Sequence, residues 1–309
     1  MTAEPEVRRT LSESAARQLA NATKTRPQWS GITPRWLVSF LPWVPVEAGT
    51  YRVNRVKESY SEKLDDVECS PNEQTELPET FVAYEEHPRE YTLNAVTTVL
   101  DVQTRISDLY RSPYDQTREQ LRLLIEKVKE YQESQLINNA EYGLLASATA
   151  AQRITTLGGA PTPHDLDELI SRVWKEPAFF LAHPRAIAAF GRECTNRGVP
   201  PPTVTLFGSP FLTWRGIPLV PSDKLAVDAE GKTNILLFRA GEQKQGVVGL
   251  FQPGLPGEVA PSLSVRFMGI NRKAVASYLI SLYCSLAVLT DDALGVLEGV
   301  EVGHYNDRK

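Results

Sequence analysis

The residues able to do chemistry are few and scattered. Four histidines, His87, His164, His183 and His304, and three cysteines, Cys69, Cys194 and Cys284, make up the soft-ligand inventory. A metal site needs such groups at helical or strand spacing, as in His-x-x-x-His, and no such pair occurs. Two histidines open the same tripeptide, "HPR", at 87–89 and 183–185, where a histidine before proline reads as a turn or helix cap. Cys194 has Arg192 and Arg197 nearby, cations that would lower a thiol pKa. Its place on the apolar side of a helical stretch favours a buried structural thiol instead. In "HDLDE" (164–168), Asp165, Asp167 and Glu168 fall in the first turn of a helix, where acids complement the helix dipole. "LGGAP" (157–161) lacks phosphate-loop spacing, and no G-x-S-x-G elbow occurs. The stretch "TWRGIPLVPSDK" (213–224) looks like an active-site turn, yet its neighbours in sequence bring no acid, base or nucleophile to it. Gly216 and Pro218 read as structural, letting one strand bend as it passes into the next domain, with Trp214 as packing anchor. An enzyme using Cys194 or His183 would need a nucleophile or base that these placements do not assemble.

The elements around these residues are mixed. Residues 115–139, "DQTREQLRLLIEKVKEYQESQLINN", carry Leu121, Leu124, Ile125, Val128, Tyr131 and Leu136 at helical spacing. At about 1.5 Å per residue this is a rod of about 36 Å. A second helix starts at Thr162 as N-cap with Pro163 at N1, and a third spans "HPRAIAAFGRECTNRG" with Gly198 as its stop. Then "VPPPTVTLFG", "FLTWRGIPLVPS", "TNILLFRAG", "GVVGLFQPG" and "LSVRFMG" read as strands divided by glycine and proline. Helices first and strands after point to an α+β fold rather than a doubly wound sheet. Residues 89–110 read as two strands, with a helix over 93–109 as the alternative. The apolar run "AVASYLISLYCSLAVLT" (274–290) is short for a bilayer span and carries Ser277, Ser281 and Ser285. It is a buried core element, helix or strand by pattern alone.

The first eighty residues do not form a compact unit. Prolines at 27, 34, 42 and 45 hold the backbone extended, yet Trp29, Trp36 and Trp43 load it with apolar surface that must be buried. An arm on a neighbouring subunit and an arm wrapped on its own domain satisfy that need equally. Residues 57–79 are polar and acidic, as in a solvated linker. The net charge of −5 and the lack of a lysine/arginine block give no nucleic-acid footprint. Three unpatterned cysteines fit a reducing cytosol. The N-terminal residues show no apolar signal-peptide core.

The order of features in "PAFFLAHPRAIAAFGRECTNRGVPPPTVTLFGSPFLTWRGIPLVPSDKL" (177–225) resembles tailed-phage coat proteins. There a strand with an asparagine- or histidine-proline step leads to a helix, a terminating glycine, a loop and a "G-x-P-(V/L)-(V/I)-x-S-D" strand. "RKAVASYLISLYCSLAVLTDDALGVLEGV" (272–300) is similar to the closing part of that fold, which tips the apolar run towards strand. From about residue 15 to 302 the chain is similar to the family 2A encapsulin shell proteins. The match rests on "AARQLANATKT", "ITPRWLVSFLPWVPVEAGTYRVN", "ELPETFV", "TRISDLY", "REQLRL", "HDLDELISRVWKEPAFFLAHPRAIAAFGRECTNRGVPP", "GVVGLFQP" and "SVRFMGINRKA". No cyclic-nucleotide-binding domain, the mark of the sister branch, is added.

The resemblance implies a Hong Kong 97-type fold. It makes residues 1–80 an N-terminal arm, 81–114 an extended loop, 115–205 with 265–309 the peripheral domain, and 206–264 the axial domain. It implies self-assembly into a cytoplasmic icosahedral shell of sixty copies for sulfur metabolism or storage, without nucleic acid or membrane. The enclosed partner would be a cysteine desulfurase that holds pyridoxal phosphate, while the shell itself has no catalytic, cofactor or metal site. The five-fold pore loop would lie at 195–203, lined by Arg197, Gly198, Pro200, Pro201 and Pro202. Trp29, Trp36 and Trp43 would face a subunit interface or the cargo. A prophage coat protein packaging DNA shares the fold and is the alternative.

Overall fold

The computed structural model describes residues 10–21, 31–54 and 84–303; Trp29, Cys69, His304 and the acidic stretch 57–79 lie outside them. The chain begins with helices α1 (Glu13–Asn21) and α2 (Trp36–Phe40), then strands β1 (Trp43–Pro45), β2 (Thr50–Val53), β3 (Arg89–Thr92) and β4 (Asn94–Gln103). Pro34 and Pro42 bracket α2 and keep it to five residues. Residues 89–110 are thus two strands followed by the short helix α3 (Thr104–Leu109), not one helix.

Asp115 starts the long helix α4 (Gln116–Asn138) by accepting from the backbone N–H groups of Thr117 and Arg118, at 2.9 and 3.2 Å. Leu121, Leu124, Ile125 and Val128 of its apolar stripe pack on β4 and the strands beside it. Tyr131, expected on that stripe, is 53% exposed instead. Next come α5 (Leu144–Ser147), β5 (Arg153–Thr155) and α6 (Pro163–Arg172). The last opens on a capping box between Thr162 and Asp165, with Pro163 in its first turn. Strand β6 (Phe179–Ala182) leads to α7 (Pro184–Asn196), which ends where Gly198 takes φ +74°.

The remaining strands are β7 (Thr203–Leu206), β8 (Ser209–Trp214), β9 (Ile217–Pro221), β10 (Lys232–Phe238), β11 (Val247–Phe251), β12 (Glu258–Ala260), β13 (Leu263–Ile270), β14 (Val275–Val288) and β15 (Leu294–Glu301). Two large sheets result. One runs β1-β11-β14-β13-β12, with β4 also pairing along β14 from Gln103↔Val275 to Asn94↔Cys284. The other runs β5-β15-β10-β6-β9-β8-β7. The 206–264 stretch therefore supplies strands to both sheets.

The apolar run 274–290 is strand β14, buried along most of its length, so it shows no alternation to read. Its serines, four residues apart, share one face of a strand as readily as one face of a helix. Among the described residues no helix is long and apolar enough to cross a membrane. Helix α4 covers the first sheet, whereas α6 and α7 cover the second through Leu166, Leu169, Phe190 and Cys194. A central core of Leu37, Leu136, Ile137, Phe179, Leu236, Phe238, Val247 and Leu286 joins the arm, the end of α4 and both sheets. One contiguous core across the seam makes the two sheets a single packed body.

Candidate functional site

The turn in "TWRGIPLVPSDK" is a hairpin within the second sheet. Arg215 (φ 50°) and Gly216 (φ 83°) join β8 to β9, with Trp214 opposite Ile217. Two successive left-handed residues are the geometry that matches the right-handed twist of the strands. The expected bend into another domain is therefore corrected: the chain reverses and stays in the same sheet. An acid also reaches this turn from α6. The Trp214 indole donates to Asp167 Oδ1 at 2.7 Å, and the Arg215 guanidinium forks onto both oxygens at 3.0 and 2.9 Å. That guanidinium holds the Asp167 carboxyl below its usual range, against the opposing effect of burial. The arrangement clamps helix to hairpin and leaves no free base.

The second half of the same stretch, "PSDK", enters a polar junction with the arm and α4. Glu130 accepts from the Thr33 N–H and hydroxyl, each at 2.8 Å, and pairs with Arg35 at 3.0 Å and Lys224 at 2.9 Å. Arg35 reaches Glu126 at 2.7 Å as well. Ser222 donates to Glu133 Oε1 at 2.7 Å. Although burial acts the other way, Lys224 and Thr33 hold the Glu130 carboxyl below its usual range. Sequence reasoning missed the junction because Glu126, Glu130 and Glu133 read as the solvated face of α4. The only trace was the spacing of Glu126, Glu130 and Glu133, which puts three acids on one face of α4.

An aromatic seat fixes the arm beside that junction. Trp36 meets Phe211 edge-on at 5.2 Å, and Phe40 lies 5.0 Å from both Phe179 and Phe207. The Trp43 indole donates to Val38 O at 3.0 Å, and β1 runs parallel to β11. Residues 31–46 pack on their own chain, with Leu37 and Leu41 in its central core. Trp36 and Trp43 are half-buried there. A cavity of about 590 Å³ lies next to them, lined by Pro34, Arg35 and Trp43 of the arm, Lys129 of α4, and Phe251 and Leu282 of the first sheet.

The loop after α7 is an outward-facing rim. Arg197, Gly198, Pro200 and Pro202 are exposed, and Pro201 is half-buried. Arg197 pairs with Glu193 at 2.6 Å, and the loop's far end is pinned by Thr213 N–H on Pro202 O at 2.8 Å. Val199, Val204 and Phe207 add exposed apolar surface along the same edge. Edge strand β7 and this rim form a surface without partners within the described chain.

The residues weighed for catalysis are engaged elsewhere. His183 caps α7, its Nδ1 accepting from the Arg185 N–H at 3.1 Å. Burial, with Arg185 beside it, holds its imidazole below the ordinary value. Cys194 is fully buried and its thiol is pushed up to about 11 by that burial. Asp165 belongs to the capping box of α6. Among the described residues no group of histidine, cysteine and acidic side chains could hold a metal ion.

A family model described as "Type 2A encapsulin shell protein SrpI-like" matches residues 50–304. The type 2A encapsulin shell protein SrpI of Synechococcus elongatus is 68% identical over 296 residues, covering 96% of this chain and 95% of that protein. A chain of the holo-SrpI encapsulin complex from the same organism superposes with a TM-score of 0.84 at 64% identity, covering 97% of this chain and 99% of that one. A chain from Microbacterium phage Oxtober96 superposes with a TM-score of 0.57 at 14% identity over 93% of this chain and 98% of its own, a likeness of fold alone.

Proposed function

Because the chain belongs to the SrpI-like type 2A encapsulin shell family, we propose that its copies close into an icosahedral compartment around a cysteine desulfurase. The chain is a shell protein, not an enzyme, and its fold is of the phage-capsid, Hong Kong 97 type. The single observation that carries the shell reading is the near-complete superposition on a chain of an encapsulin complex, while the cargo is proposed on the family resemblance alone. The proposed shell has sixty copies in the cytoplasm. Its cargo brings the pyridoxal phosphate and the sulfur chemistry.

The surfaces described above give this reading its physical content. A closed shell buries edges that a lone subunit leaves open, and β7 with the exposed rim at 195–203 is such an edge. We assign that rim, with Arg197, Gly198, Pro200, Pro201 and Pro202, to the pore. Three consecutive prolines would stiffen a narrow ring. Cargo docking is assigned to the arm around Trp29, Trp36 and Trp43. The test is expression of the chain with and without a desulfurase gene, followed by electron microscopy and spectroscopy of the purified particles. Filled shells carrying the pyridoxal phosphate absorbance support the reading. Shells that stay empty beside soluble desulfurase overturn the cargo assignment, and nuclease-protected DNA inside them would favour the coat-protein alternative.

A further inference from the structure

The junction of arm, helix and 221–224 loop contains one carboxyl more than its cations can serve. Glu126, Glu130 and Asp223 pair with Arg35, Lys129 and Lys224 through contacts of 2.7 to 3.9 Å. Glu133, the fourth carboxyl, is 1% exposed and has no cation within ion-pair distance among the described residues. Its Oε1 accepts from Ser222, while its Oε2 is buried without a hydrogen-bond partner. Three cations against three carboxylates balance when Glu133 is neutral. An ionised Glu133 would place an uncompensated charge in the core, next to two like charges.

We propose that Glu133 is a proton-operated latch: neutral, it lets α4, the 221–224 loop and the arm close together, and its ionisation as pH rises loosens that junction. The facing groups set the direction. Burial raises the carboxyl above the ordinary 4.5, Glu130 and Asp223 add to the rise, and Ser222 and Lys224 oppose it. A carboxyl raised in the folded state contributes its full stability below the ordinary value and loses it as pH rises through the folded value. Lys224 links the latch to the arm, because the same ammonium that faces Glu133 holds Glu130, which holds Thr33 and Arg35. Arg35 itself sits at φ 49°, a left-handed conformation kept by those carboxylates. Losing their grip would free the arm first.

The latch rests on this chain's fold and not on the cargo or the closed shell. Hydrogen exchange of the intact chain, read as protection factors for amides 31–41 and 221–226, tests it independently of the proposed function. In the parental protein, protection of these amides should fall about tenfold or more as pH is raised from near the ordinary 4.5 through the raised folded value. Glu133→Gln keeps the shape and removes the titration, so its protection should stay flat over that range. A parental fall reproduced in Glu133→Gln overturns the proposal. Ser222→Ala removes the donor that favours the ionised form, so its loosening should shift to higher pH. No shift, or a shift to lower pH, contradicts the latch even if Glu133→Gln fails to fold.

Discussion

Gly249 offers a sharp test of how the arm is held. It lies in β11 directly opposite Trp43 of β1. A Cβ at this position would stand 2.7, 2.8 and 2.9 Å from three indole carbons of Trp43. The ring cannot yield freely, because its Nε1 donates to Val38 O and its strand continues in register with β11 through Val44 and Pro45. Overpacking of this kind costs about 1–3 kcal/mol, and breaking the indole hydrogen bond adds about 1 kcal/mol. Gly249→Ala should therefore destabilise the chain by roughly 2–4 kcal/mol, a fall in Tm of about 3–6 °C at fixed scan rate for a chain of 309 residues. Trp43→Ala removes the obstacle, so the double variant should be less destabilised than the two single changes summed, by about 1 kcal/mol or more. A Tm within about 1 °C of the parent, or strictly additive singles, would refute the seat as described.

Other outcomes follow from the same geometry. Asp167→Asn breaks the fork from Arg215, whose side chain is 62% exposed, and should cost about 1 kcal/mol or less at neutral pH. Because the folded carboxyl is lowered, its contribution exists above the ordinary 3.8 and disappears as pH falls through the folded value. Denaturant midpoints of parent and variant should thus converge in acid. Gly216→Ala meets no atom within 4 Å, so its cost is the left-handed backbone alone, about 1 kcal/mol in a denaturation series; a cost several times larger would reveal a packing role. Cys194 and Cys284, with thiols pushed up to about 11 and about 12, should resist iodoacetamide in the folded chain and react after unfolding, as peptide mapping would report. Arg197→Ala removes a partner of buried Glu193 and should cost about 1–3 kcal/mol, while changing the rate at which anions cross the shell in stopped-flow quenching of an enclosed dye.

The parts of this fold that were legible had local causes. Thr162 with Pro163, and Gly198, are cap chemistry, and each marks a helix end where the structure has one. What was not legible depended on residues far apart in the chain. Strand β14 hides its period because both faces are covered. The Arg215–Gly216 turn looked like a bend because nothing local says that Ile217 returns beside Trp214. Its acid comes from 48 residues away, and Glu130 meets Thr33 across 97. An acid on a helix reads as solvated until a tertiary partner covers it, so the junction at Glu130 and Glu133 had no local signature.

A shell subunit works only once it is assembled. Electron microscopy of the purified chain, imaged without added partners, tests that assembly in one step. Closed, hollow particles of uniform diameter whose averages obey icosahedral symmetry are the expected result. Monomers, small oligomers or open sheets at concentrations where the chain is folded would contradict it.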